Sequence, residues 1–249
     1  MTGRVAQIWR HPIKAHGREQ LKSVPLTKGR TMPWDRTWAV AHEQAKTDGQ
    51  NWVRCVNFSR AAKAPSLQAI TAHLDEDASQ VTLTHPDLPP LQFNPDTEAP
   101  AFLDWVAPIM PEDRAASAEI IRVKDQGMTD SDYPTLSLNN LASNAEISKT
   151  VGKDMSPTRW RGNIWFDGLP AWDEVNWIGK TVRIGAAELA VRESIVRCLA
   201  TAVNPDTGQR DTDTLAALAA CGQDKNFGVF GVVTKTGIVS VGDEVEVLS

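Results

Sequence analysis

The segment VRCLATAVNPDTGQRD, residues 196–211, sets a single cysteine, Cys198, directly after an arginine, Arg197. The thiolate is the nucleophilic and metal-binding form of cysteine, and a nearby cation favours it. Adjacency alone does not pair the two, because successive side chains of an extended chain point to opposite faces. A free cysteine packed as a small apolar residue is the competing reading. The stretch NPDTGQRD reads as a turn opened by Asn204–Pro205, with Gly208 available for left-handed backbone; it is either a connector or one wall of a site. Other candidates are cationic. Lys14 follows a proline in RHPIKAHG, Arg36 enters an apolar run in PWDRTWAV, and RWRGNI carries Arg159 and Arg161 beside a glycine. Singly these are ordinary surface charges. Gathered at strand ends, they make a set that suits phosphate.

Several chemistries lack their residues. There is no Gly-x-x-x-x-Gly-Lys and no Gly-x-Gly-x-x-Gly, so a nucleotide on a glycine loop is not expected. There is no Cys-x-x-Cys, which removes the usual ligands of a structural zinc and the thioredoxin-type dithiol. None of His11, His16, His42, His73 and His85 stands out as the partner of a catalytic cysteine.

The elements that must carry these residues read mainly as strands. RVAQIWRHPI, TWAVAH and QVTLTH mix β-branched, aromatic and alternating apolar residues, and THPDLPPLQFNPD has too many prolines for long regular structure. EAPAFLDWVAP suits a short helix between two domains. AEIIRV reads as a strand, TLSLNNLASNAEISKTVG as a helix capped by its glycine, and DTLAALAACG as a short apolar helix. GNIWFDG, TVRIGAAELAVRESIVRC and FGVFGVVTKTGIVSVGDEVEVLS are strand-rich with glycines at turns. The expectation is a mostly β chain with a few helices (α+β) in closed sheets or barrels. It divides into an N-terminal domain over 1–98, a linker with a short helix over 99–114, and a second domain over 115–249.

The chain has 249 residues, a formal charge of −5 and 41% hydrophobic residues, enough for a substantial core. The charge is uneven: residues 1–63 hold 12 Lys+Arg against four acids, and the remainder 14 against 27. A basic N-terminal third on an acidic chain points to an anionic ligand on that side. An acidic whole without aromatic–basic interleaving speaks against nucleic acid. No signal-like or membrane-length apolar segment occurs, and three cysteines far apart do not make a disulfide framework. The expected location is the cytoplasm, with no membrane contact.

HPIK (11–14), DRTW (35–38), RWRGNI (159–164), RCLATAVNPDTG (197–208), FGVFG (227–231) and GIVSVGDEV (237–245) together resemble the MOSC domain family, the C-terminal domain of molybdenum cofactor sulfurases, preceded by that family's N-terminal β-barrel domain. The segments run in family order over nearly the whole chain. The resemblance, closest to members similar to the mitochondrial amidoxime-reducing component, implies a molybdenum–molybdopterin cofactor and reduction of N-hydroxylated or N-oxide substrates. It makes Cys198 the catalytic residue and metal ligand, a soft thiolate suited to a metal that also carries dithiolene sulfur. It sets Lys14, Arg36, Ser137, Asn140, Arg161, Asn163 and Arg197 against the cofactor, with Asn140 standing where a serine is expected. It implies no pyridoxal phosphate or iron–sulfur site within this chain. Electrons then come from a separate donor protein of ferredoxin, flavodoxin or cytochrome type with its reductase, and the other partner is a small-molecule substrate. RCVNF (54–58) departs from the family pattern. The alternative is a carrier of sulfur, as a persulfide on Cys198, or of the cofactor itself.

Overall fold

The computed structural model describes residues 2–123 and 126–248. In chain order its strands are β1 (Gly3–Arg10), β2 (Glu19–Leu21), β3 (Ser23–Leu26), β4 (Trp38–His42), β5 (Thr71–Asp75), β6 (Gln80–His85), β7 (Leu88–Phe93), β8 (Ser117–Arg122), β9 (Leu136–Asn140), β10 (Ile164–Asp167), β11 (Thr181–Ile184), β12 (Ala187–Val196), β13 (Asn226–Lys235), β14 (Gly237–Ser240) and β15 (Glu244–Leu248). The helices are α1 (Ala99–Val106), α2 (Leu141–Val151) and α3 (Thr214–Ala220). Among the described residues no helix is long and apolar enough to cross a membrane.

Seven strands close a barrel in the order β10-β9-β13-β12-β11-β15-β1, with β1 returning to pair β10 and β2 added beside β1. Closure runs through Ile8 opposite Ile164 and through the parallel step Ile164 opposite Leu138. Alternation along each strand sends Val5, Ile8, Leu138, Ile164, Val182, Leu189, Val229 and Val245 into one apolar interior. A second core gathers Ile13, Trp38, Val40, Leu67, Leu83, Phe93 and Phe102 between the β4–β8 pair, the β5-β6-β7 sheet and α1.

The ladders cross the boundary expected between residues 98 and 115. β1 pairs β10 and β15 in the C-terminal barrel, while β8 leaves the C-terminal half to pair β4. Strand partners as distant in the chain as Gly3 and Val245 leave no local mark in composition. The proline-rich stretch also differs from its reading. Pro89 and Pro90 lie inside β7, which pairs only β6. An edge strand tolerates residues without an N–H on its free side. TLSLNNLASNAEISKTVG splits into β9 and α2: the Asn140 side chain accepts the Ala142 N–H at 3.0 Å to start the helix, and Gly152, at φ 77°, ends it.

Candidate functional site

The site is built where β1 ends and the chain doubles back twice. Asp35 is 1% exposed and accepts the His11 backbone N–H at 2.8 Å, while its other oxygen pairs with Arg36 Nη1. Burial alone would raise the Asp35 carboxyl, but the Arg36 guanidinium and His11 hold it well below the usual carboxylate range. Burial, with Arg161 and Arg36 nearby, lowers His11 to about 3, so its imidazole is neutral. Arg36 donates its backbone N–H to His11 O at 2.7 Å and Nη2 to Arg161 O at 3.0 Å. The two arginines, at φ 54° and 50°, both occupy the left-handed region, a strained choice for side chains with a Cβ.

Arg161 donates Nη2 to Gly17 O at 3.0 Å, whereas its buried Nη1 has no hydrogen-bond partner among the described residues. Burial first, then Arg36 and Arg18, lower this guanidinium to about 9. Arg197 is lowered to about 9, again chiefly by burial. It is satisfied by Trp160 O at 2.8 Å, Phe227 O at 2.7 Å and Asn139 Oδ1 at 3.2 Å, and lies over the stacked Trp160 and Phe227 rings. Ser137 and Asn163 interlock: Asn163 Oδ1 accepts the Ser137 N–H at 3.1 Å, and Ser137 Oγ accepts the Asn163 N–H at 2.8 Å. Arg36, Ser137, Arg161, Asn163 and Arg197 thus line one narrow cavity of about 30 Å³, with Thr129, Asp130, Ile195 and Phe230 completing its wall. It shares Asp130, Ile195 and Phe230 with a wider groove of about 390 Å³ lined by Trp52, Arg54, Tyr133 and Glu193. The throat has room for about one water; a larger ligand belongs in the groove, which meets the arginine-lined throat at Asp130, Ile195 and Phe230.

Three predicted residues behave differently. Lys14 Nζ is bonded to Met128 O at 2.7 Å and Asp130 Oδ1 at 2.6 Å, so it ties down the 128–130 wall instead of presenting a free ammonium. Lys14 in turn holds the Asp130 carboxyl down to about 2. Asn140 does not line the cavity. Its amide donates to Pro170 O at 2.7 Å and Glu174 Oε2 at 3.1 Å while its oxygen caps α2. The residue that reaches the arginines is Asn139, which shares with Ser137 one face of β9; the period-two alternation of the strand was the available signal. Gly162 and Gly228 leave room for it: a Cβ at either would fall within 2.5 Å of the Asn139 amide. Cys198 is exposed, in extended backbone at φ −121°, while Arg197 turns inward, so the two side chains face opposite ways. Arg159, the other arginine of RWRGNI, is spent on a two-pronged contact with Asp211 at 2.8 and 3.1 Å. Asp35, His11 and Asp130 also belong to the site and were not singled out in the sequence.

Glu174 behind Asn140 supplies a stability test. It is fully buried, accepts Ser143 Oγ at 2.8 Å, and burial raises its carboxyl above the ordinary value. A raised folded-state value means the fold retains this proton longer than the unfolded chain. Its stabilising effect is complete below the unfolded value and is lost as pH rises through the folded one. Glu174→Gln is therefore expected to gain stability relative to the parent as pH goes from 4 to 8, read as a urea midpoint that diverges upward; parallel midpoints at all pH values would contradict it.

Four cations, Lys14, Arg36, Arg161 and Arg197, meet two carboxylates, Asp35 and Asp130, around the cavity. The excess of two positive charges and the unpartnered N–H of Arg161 suit a dianionic group such as a phosphate monoester. The donor set therefore fits the phosphate end of a pterin cofactor, and Cys198 is a soft thiol within one residue of the cavity-lining Arg197.

Comparison with known proteins agrees in kind. The family model described as MOSC domain matches residues 125–246, and the one described as MOSC N-terminal beta barrel domain matches residues 2–132. Mitochondrial amidoxime-reducing component 1 of Homo sapiens is 24% identical over 99% of this chain and 83% of its own length. Mitochondrial amidoxime reducing component 2 of Homo sapiens is 31% identical over 46% of this chain and 37% of its own length. Among solved structures, the YUAD protein from Bacillus subtilis aligns over 99% of this chain and 96% of its own, at 13% identity and a TM-score of 0.48.

Proposed function

Since the chain belongs to the MOSC domain family, with that family's N-terminal β-barrel domain ahead of it, we propose that it acts as a molybdenum-cofactor-dependent reductase of N-hydroxylated or N-oxide compounds, fed with electrons by a separate donor protein. One observation carries the reading. A cavity with surplus positive charge has a buried Arg161 Nη1 unsatisfied among the described residues, and its lining residue Arg197 is followed in the chain by an exposed thiol, on a chain whose full-length relative is named an amidoxime-reducing component.

A bound molybdenum–pterin group would supply two-electron redox chemistry at the metal. The chain's own residues bind and orient. Arg36 and Arg161 take the phosphate end, with Arg36 aimed by the Asp35 carboxylate behind it. Arg197, held by three acceptors, adds fixed positive potential without moving. Cys198 would hold the metal through its sulfur. The groove past Ile195 and Phe230 admits a substrate between Trp52 and Tyr133. Reducing an N–OH bond to N–H consumes two electrons and two protons and releases water, and the exposed groove lets solvent deliver those protons.

The exposure of Cys198 also favours a second reading, in which the thiol carries sulfur as a persulfide to other enzymes. Protein isolated from a molybdenum-replete host separates the two. Stoichiometric molybdenum and pterin, with reduction of benzamidoxime by viologen-supplied electrons, is the expected result. Cyanolysable sulfur in metal-free protein favours the carrier and sinks the reductase.

A further inference from the structure

A second cavity, of about 290 Å³, lies in the N-terminal half between the end of β4, the turn over residues 55–64 and the approach to β8. It shares no lining residue with the cavity or groove described above. Its volume is near the lower bound for small-molecule sites.

Three cations line it, Arg60, Lys63 and Arg114, against one carboxylate, Asp113, which sits 3.5 Å from Arg114. The chain from Gly49 to Leu74 contains no acidic residue at all, although the protein as a whole is acidic. Among the described residues, the only side-chain contact of the Arg60 guanidinium is the Cys55 sulfur at 3.3 Å, a weak acceptor that leaves its other donors unmatched. Lys63 makes no ion pair among the described residues. His42, also in the lining, is held as the neutral Nε2–H tautomer, since Nε2 donates to Val56 O at 2.8 Å and Nδ1 accepts the Gln44 N–H. The lining charge is therefore two positive in excess. Val56, 57% exposed, together with Met110 and the buried Phe58 gives the wall one apolar side, next to the polar Gln44 and Ser59. Cations around a concave, low-dielectric wall focus their potential into it, unlike cations spread on a convex surface.

We propose that this cavity is a binding site for a small organic phosphate monoester, its dianion on Arg60, Lys63 and Arg114 and its apolar body against Val56 and Met110. Two excess charges match the charge of a phosphate monoester near neutrality, about −1.5 to −2. The apolar side of the wall distinguishes such a ligand from a free inorganic ion. RCVNF (54–58), which departs from the family pattern, supplies Val56 and Phe58, and so belongs to this site.

Isothermal titration of the full chain with phenyl phosphate, inorganic phosphate and phenol tests it. Phenyl phosphate is expected to bind tighter than either fragment, with a component that depends on Arg60 and Lys63. Arg60→Ala with Lys63→Ala should weaken it about tenfold or more, and Lys63→Glu, at an exposed position, gives the same direction if the double variant does not fold. Arg161→Ala, which alters the other cavity without an expected loss of folding stability, should leave this affinity unchanged. Binding insensitive to Arg60 and Lys63, binding lost entirely with Arg161, or phenol binding as tightly as phenyl phosphate would each overturn the proposal.

Discussion

Cys198→Ser is expected to lower reductase activity at least about 100-fold, since even groups that only orient a metal ligand cost about 10–100-fold when removed. The melting temperature should stay where it was. Cys198 is exposed and no core cluster includes it, so the near-isosteric oxygen disturbs no packing. The hard hydroxyl is a poor partner for a soft metal centre, and the loss is thus one of ligation. The other two cysteines are the control. Cys55 touches Arg60 and Cys221 touches Thr150, neither lines the cavity or the groove, and serine at either should leave activity unaltered. Equal losses at all three positions would contradict the assignment of the ligand.

Removing the arginines should act on loading instead of chemistry. A charge-assisted hydrogen bond contributes about 1.5–3 kcal/mol, so Arg161→Ala is expected to weaken cofactor retention by roughly 10- to 150-fold, read as molybdenum and pterin per chain, with turnover per loaded site nearly kept. The two arginines differ in what they do to the empty protein. Arg161 is buried with one nitrogen unsatisfied, and burial already works against its charge, so the alanine variant without cofactor should melt no lower than the parent. Arg36→Ala strands the buried Asp35 carboxylate and is expected to cost about 3–5 kcal/mol of folding stability in addition to the loading defect. Full loading after both are removed would disconnect the cavity from the cofactor.

The short range of a strand's alternation explains much of what was legible. Leu136 and Leu138, or Leu189 and Val191, declare their faces within a few residues, and the glycine-punctuated strands at the C-terminus read as a closed sheet before any pairing is known. The cations in HPIK, DRTW and RWRGNI were visible as residue types, and their convergence rested on resemblance to a family. The alternation of β9 places Ser137 and Asn139 on one face, whereas the resemblance points to Asn140.

What the amino-acid order by itself determined is the inventory: a mostly β chain, an odd set of cysteines with Cys198 beside Arg197, a basic first third, and cationic groups at the ends of strands. The tertiary structure alone decided which of these act together. Adjacent in sequence, Arg197 and Cys198 face apart, because extended backbone alternates its side chains. Arg36 and Arg161, 125 positions apart, meet because β1 closes the C-terminal barrel against β10 and sets the turn after β1 beside the turn before β10. Lys14 became a tie to Asp130 and Arg159 a tie to Asp211, while Arg161 kept a donor in reserve. A charge finds its partner through space, and only long-range strand pairing settles which acids lie within reach of which arginines.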